Sequence, residues 1–357
     1  MTSYLSLLEA LTECVSISGT ETKDKDKIIS ILSPYFDRVE VDRLGNTIAT
    51  LSCGKTNAPV LLIDTHFDQI GLLVTDRKEG GFLSVTSIGG LDTRILPAMD
   101  VTIHGKKELF GVITSTPPHL RKAEDADKLS PVDELLIDCG VLDTERLKEL
   151  VPIGSPVSFR VPFTKLQNGR VAGVGLDNKA CCAAGILFAS MVDKSALCCD
   201  VVLLLSSFEE IGGKGAVVGT YTISPDLAIV LDVNFAKAPG IDSKESIRMG
   251  EGPSVSLSVL THRGLSKRVI ALAKENEIPC QTIVEVGNLG TNGNNIPLQR
   301  EGVPTVNMSL PLSSMHTASE IVAECDGEAL AKLLCQVACD QEVWRMALSY
   351  STREVKS

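Results

Sequence analysis

The residues best suited to chemistry in this 357-residue chain stand where apolar runs stop. VLLID is followed by His66 and Asp68, VVLLLSSF by Glu209 and Glu210, LAIVL by Asp232, and TVNMSLPLSSM by His316. Asp177 occupies the turn before the CCAAGI segment. In open α/β sheets ligands gather beyond the carboxyl ends of the strands, so topology can bring side chains in these positions together. Two imidazoles and three or four carboxylates converging at one end of a sheet would form a site for two divalent cations. The nitrogen and oxygen mixture favours zinc, cobalt or manganese over calcium, which prefers oxygen alone.

Each element also has a plainer reading. His66-Phe67-Asp68 could be a surface histidine beside a solvated acid, or a metal ligand whose other ring N–H is accepted by Asp68. Glu209 and Glu210 could be a solvated pair. They follow an apolar strand, however, and precede IGGKGA, where glycine permits close backbone approach. One glutamate would then bind metal while its neighbour moves protons. Asp177 in GLDNKA could cap the helix after it, and Asp232 could start a turn. His316 could precede a helix, since Thr317 and Glu320 have capping-box spacing. Capping does not exclude ligation, because the two use neighbouring atoms of one loop. His104, His119 and His262 lack carboxylates at useful spacing and read as structural or surface groups.

The elements that would position these residues read as α/β, with a mostly parallel central sheet and helices on both faces. Leu5, Leu8 and Leu11 mark a first helix. Ser18 and Glu21 have capping-box spacing and predict a second helix from there to about Leu32. The continuous apolar runs Val201–Leu205 and Leu227–Leu231, separated by helical segments, suit strands covered on both faces. Between about Ile70 and Pro162 the texture changes to short alternating segments punctuated by glycine and proline, which predicts a small inserted β-domain over 70–162. Residues 1–69 and 163–357 would form the larger unit, and the tail DGEALAKLLCQVACDQEVWRMALSY would close it as one amphipathic helix.

Composition narrows the partners. A formal charge of −11 opposes binding to nucleic acid or to anionic membranes, and no apolar run reaches the roughly 18 residues of a membrane span. The N-terminus lacks a basic start and a small-residue cleavage site, so cytoplasm is the expected location. Eleven cysteines with neither a CxxC pair nor a Cys/His cluster read as buried thiols.

Taken in order, THFDQIGLLV, IGGLDTRIL, GVITSTPPHL, GVGLDNKA, FEEIGGKGA, LDVNFAKAPG and GVPTVNMSLPLSSMHTASE resemble successive landmarks of a known family. These are the co-catalytic metallo-aminopeptidases of the glutamyl-aminopeptidase and tetrahedral-aminopeptidase type, some of which have been labelled endoglucanases. The resemblance covers nearly the whole chain. It implies one cation, zinc or cobalt foremost, held by His66 and Asp232, and a second held by Glu210 and His316. Asp177 would bridge both, Glu209 would be the catalytic glutamate, and Asp68 would be the partner of His66. It also implies an inserted β-barrel, peptide substrates with a free N-terminus, and dimers assembling into a twelve-subunit tetrahedral shell. Two departures stand out: Gly290-Thr291-Asn292 where relatives usually show GTD, and Ser313-Ser314-Met315 where an aromatic residue usually precedes the last metal-binding histidine. Neither removes a ligand, and both bear on substrate positioning.

The chemistry expected of such a site is hydrolysis. Two ions about 3.5 to 4 Å apart can share a water and lower its pKa toward about 7, with Glu209 taking the proton and passing it to the leaving amine. A dinuclear carboxypeptidase or deacylase would use the same logic. A non-catalytic shell-forming relative is the alternative from another class. A glycosidase would leave both histidines unexplained.

Overall fold

The computed structural model describes residues 2–115, 118–120, 131–242, 244 and 246–349. Thr116 and Pro117 of GVITSTPPHL, and Tyr350 at the end of the tail segment, lie outside them.

The opening leucines form α1 (Tyr4–Thr12), capped by Ser3, with Leu7, Leu8 and Leu11 turned inward. The second helix, α2 (Lys25–Leu32), begins seven residues later than the capping-box spacing predicts. The reason lies in the side chains: the Ser18 hydroxyl donates to Asp68 and the Glu21 carboxylate accepts the Phe208 N–H, so neither is left to cap a helix. β1 (Arg38–Val41), β2 (Thr47–Leu51) and β3 (Val60–His66) follow.

The chain then leaves the sheet and builds β4 (Gly71–Lys78), β5 (Phe82–Ile88), β6 (Asp100–His104), β7 (Glu108–Ile113), β8 (Leu136–Asp138), α3 (Thr144–Leu150) and β9 (Pro156–Phe159). These six strands close into an antiparallel barrel in the order β4-β5-β8-β7-β6-β9, which leaves no free edge. The barrel has its own core, including Leu72, Val85, Ile103 and Val157.

After β10 (Thr164–Lys165) and β11 (Arg170–Gly173) come α4 (Leu176–Met191), β12 (Asp200–Ser206), α5 (Lys214–Ile223) and β13 (Leu227–Phe235). The remainder is β14 (Ser254–Ser258), α6 (Arg263–Glu275), β15 (Gln281–Glu285), β16 (Thr305–Leu312), β17 (Glu320–Ala323), α7 (Glu324–Cys339) and α8 (Gln341–Leu348). The central sheet runs β1-β2-β12-β3-β13-β16-β14-β15. Its middle, β12-β3-β13-β16, is parallel, whereas β1 and β2 are antiparallel additions and β14 runs against β16. Alternate side chains of β3 serve two cores: Leu61 and Ile63 face the α4 layer, while Leu62 faces α5.

Two further expectations need correction. The tail is two helices, because Asp340 ends α7 in an extended conformation and its carboxylate caps α8 by accepting the Val343 N–H. Glu320 starts a strand, so no helix follows His316 for Thr317 and Glu320 to cap.

Two of the three remaining histidines are also engaged. His104 faces Glu108 directly across the β6–β7 turn, with its Nδ1 3.1 Å from that carboxylate, so hairpin register supplies the carboxylate that spacing along the chain did not suggest. His262 caps α6 by accepting the Leu265 N–H, and His119 sits in an exposed turn. All eleven cysteines are free thiols.

The loop from β12 to α5 is gripped by β2's neighbour Asn46. Its carboxamide accepts the Ser207 N–H at 2.9 Å and donates to the Gly215 carbonyl at 3.1 Å. A Cβ on Gly215 would overlap the Ser207 main chain and the Asn46 carbonyl oxygen. Gly215→Ala is therefore expected to cost about 1–3 kcal/mol, read as a lower urea midpoint; an unchanged midpoint would show that the loop yields freely.

Candidate metal centre

The parallel strands end at nearly one level, His66 of β3 lying in register with Ser206 of β12. His66 is buried at the last position of β3, and Asp232 is buried near the carboxyl end of β13. Asp177 enters from the first turn of α4, where its own dihedrals are not yet helical and the Asp177–Asn178 peptide is cis. It is not the cap of α4, whose N-cap position is Gly175. Glu209 and Glu210 occupy the loop beyond β12, and His316 the loop between β16 and β17 with a left-handed φ of 59°.

These side chains come together in two groups that share Asp177. The His66 Nε2 lies 3.1 Å from Asp177 Oδ1 and 3.5 Å from Asp232 Oδ1. The His316 Nε2 lies 3.6 Å from Asp177 Oδ2 and 3.6 Å from Glu210 Oε2. In each group the candidate ligand atoms all lie within 4.8 Å of one another. Asp177 thus offers one oxygen to each. Its Oδ1 is buried without any hydrogen bond, an orphaned acceptor that coordination by a cation would satisfy. The donor set, imidazole nitrogen plus carboxylate oxygen, fits borderline divalent ions.

The surrounding main chain fixes this arrangement. The Asp68 carboxylate accepts the N–H groups of Glu209 at 2.9 Å and Glu210 at 3.1 Å, together with the Ser18 hydroxyl at 2.5 Å. The His66 Nδ1 is 2.9 Å from the Asp68 carbonyl and 3.6 Å from its carboxylate, so the backbone of Asp68 is the nearer partner of the ring. From α4, the Cys181 thiol donates to the Asp232 carbonyl and the Cys182 thiol to that of His66, at 3.1 and 3.3 Å. The barrel closes in as well: a Cβ on Gly89 or Gly90 would meet Glu210 Oε2 at 3.0 Å or His316 Nδ1 at 3.1 Å.

Sequence reasoning missed Glu320. Its buried carboxylate accepts the Asp177 N–H and the His316 N–H, both at 3.0 Å, and so ties the start of α4 to the loop between β16 and β17. Its position four residues after His316 in MHTASE was the available signal, and capping-box spacing diverted it. Lys179 was missed too. It is fully buried, with its Nζ donating to Cys14 O at 2.8 Å and to Gln69 Oε1 at 2.5 Å. Burial brings its pKa down to about 8. Asn292 is buried against the sheet end, donating to Asp64 at 2.9 Å and Ser206 at 3.0 Å. Burial pushes the Asp64 carboxyl up to about 7 against those hydrogen bonds.

Burial dominates the electrostatics, and charge crowding adds to it. Burial first, then neighbouring carboxylates, raises the pKa of Glu209 and Glu210. Asp232 is likewise raised by burial and by Asp177, and Glu320 by burial and Asp177. Burial opposes charge on His66, but Asp232 and Asp177 outweigh it and raise its pKa.

The family model for M42 glutamyl aminopeptidases matches residues 45–333. Lysyl aminopeptidase of Pyrococcus furiosus is 33% identical over 331 residues, which cover 92% of this chain and 94% of the relative. Among solved structures, aminopeptidase APDkam598 from the archaeon Desulfurococcus kamchatkensis superposes with a TM-score of 0.89 at 26% identity, covering 99% of each chain. The Pyrococcus horikoshii TET1 peptidase, described as able to assemble into a tetrahedron or a large octahedral shell, superposes at 0.82 with 29% identity. It covers 94% of this chain and 99% of its own.

The raised carboxylate pKa values have a consequence for stability. The folded, cation-free protein holds protons that the unfolded chain releases above a pH of about 4, so its stability falls as pH rises through the raised values. Divalent cations would take the place of those protons. The rise in Tm on replacing a chelator with excess Zn2+ or Co2+ is therefore expected to be larger at pH 8 than at pH 5.5; equal rises would contradict this account.

Proposed function

This chain belongs to the M42 glutamyl aminopeptidase family, and from that premise we propose that it is a dinuclear metal-dependent enzyme that removes the N-terminal residue of peptides. In this reading His66 and Asp232 hold one divalent cation, Glu210 and His316 hold the second, and Asp177 serves both. The observation that carries the reading is the placement of the two Asp177 oxygens, one towards each histidine, with Oδ1 left without a hydrogen bond. When bound, zinc or cobalt ions would supply Lewis acidity and a water of lowered pKa.

Glu209 is the proposed general base. It sits beside Glu210 on the same loop, and its carboxylate is not part of either candidate ligand group. A carboxylate that stands beside the site but binds neither cation is free to accept a proton and return it once the water is activated. It would take the proton of the attacking water and hand it to the leaving amine. Asp68 holds the Glu209 and Glu210 amides, and so orients the loop from which both act. The α-amine of a peptide bound at this crowd of carboxylates would register the cut one residue from the N-terminus. By analogy with the shell-forming TET1 peptidase, we further propose that the chain assembles through dimers into a closed dodecamer.

Glu209→Gln is expected to retain both cations while kcat falls by about 100- to 10,000-fold on aminoacyl anilides, as loss of a general base predicts. Parental turnover in the metal-loaded variant would remove Glu209 from that role. Running free and N-acetylated peptides side by side separates the rival reading, because a carboxypeptidase or deacylase would cleave the blocked substrates.

A further inference from the structure

Ser18 and Glu21 form a motif that the metal centre does not itself explain. The segment is anchored: Gln69 accepts the Ser18 N–H and donates its own N–H to Ser16, and Ile17 pairs with Gln69 in a parallel bridge. From that anchor Glu21 reaches the loop beyond β12 directly, and Ser18 reaches it through Asp68. The Ser18 hydroxyl meets the Asp68 carboxylate, which also accepts the Glu209 and Glu210 N–H groups. The Glu21 carboxylate, only 4% exposed, accepts the Phe208 N–H at 3.0 Å.

Phe208 is the residue that needs holding. Its φ is +58°, in the left-handed region that a bulky residue adopts only when its surroundings impose it. Gly19, itself at φ +88°, has no side chain, and a Cβ built there would stand 3.5 Å from the Phe208 ring. The left-handed step at Phe208 sets the direction in which the next two residues leave β12. It thereby places the Glu209 and Glu210 amides on Asp68.

We infer that Glu21 is a positioning residue for the peptidase reaction: by holding the Phe208 amide it locks the turn that presents Glu209 to the site, with Ser18 bracing the same loop through Asp68. The inference rests on the assignment of Glu209 as the base. Glu21 touches neither the candidate ligands nor, in this account, the substrate.

The test compares Glu21→Ala with Glu21→Gln in the full-length protein loaded with Zn2+, by steady-state kinetics, cation analysis, Tm and amide hydrogen exchange of the peptide containing residues 208–210. Glu21→Ala is expected to keep two cations and a KM within about threefold of the parent, with kcat lower by about 10- to 100-fold, as a misplacement of order 1 Å would produce. Exchange should quicken at 208–210, and at Gly19 and Glu21, whose amides face the same carboxylate, with little change elsewhere. Glu21→Gln, whose amide oxygen can still accept the Phe208 N–H, should recover most of the lost turnover and protection.

Parental kcat and parental exchange in Glu21→Ala would overturn the inference. So would a fall in Tm with faster exchange across the whole chain that Gln does not repair, because that pattern marks general support of the fold. Should Glu21→Ala fail to fold, Ser18→Ala carries the test, with faster exchange confined to 208–210 expected and unchanged exchange counting against it. If the parent itself cleaves no free peptide, the functional reading fails, while the exchange comparison still decides whether Glu21 fixes the loop.

Discussion

Too many carboxylates share too little water at the carboxyl end of the central sheet. Asp68, Asp177, Glu209, Glu210 and Asp232 converge there beside two imidazoles, and burial raises the cost of charge on Glu209, Glu210 and Asp232. The fold relieves part of that cost with main-chain N–H groups, most fully at Asp68 and Glu320. It leaves Asp177 Oδ1 without a hydrogen bond, with only the His66 ring 3.1 Å away. A pair of cations is the remedy that fits both the donor types and their spacing, and the rest of the architecture can be understood as what keeps the acids from moving apart.

That restraint comes from three directions. The parallel strands set the level at which His66 and Asp232 emerge, and α4 packs beneath them with two thiols donating to their carbonyls. The loop between β16 and β17 is clamped to the start of α4 by the Glu320 carboxylate. The barrel closes the third side, where glycine at 89 and 90 lets the backbone approach Glu210 and His316. A site built at the meeting of rigid elements keeps its geometry better than one carried by a single mobile loop.

Much of this was legible in the sequence because strand ends leave a strong signature. An apolar run that stops on His, Asp or Glu marks both a buried parallel strand and the place where its last side chain faces solvent or ligand; β3 and β13 carry it directly, while β12 and β16 end a few residues before Glu209 and His316. The alternating, glycine-punctuated middle likewise signalled a small β-domain, and the family resemblance alone implied that it closes into a barrel. What escaped was pairing across long stretches of chain. Ser18 with Glu21, and Thr317 with Glu320, have the spacing of a capping box, yet three of those four side chains serve residues 50, 187 and 143 positions away, Asp68, Phe208 and Asp177. Local spacing cannot distinguish a cap from a long-range hydrogen bond. His104 met its carboxylate through hairpin register, and the break at Asp340 fell inside an unbroken apolar period.

The central claim is that Asp177 stands between two cations. Anomalous diffraction from crystals grown with Zn2+, recorded on both sides of the zinc absorption edge, addresses it most directly. Two peaks per chain, one beside His66 and Asp232 and the other beside Glu210 and His316, with an Asp177 oxygen on each, are the predicted result. One peak alone, or density for an ordered water on Asp177 Oδ1 with no metal nearby, would contradict the account.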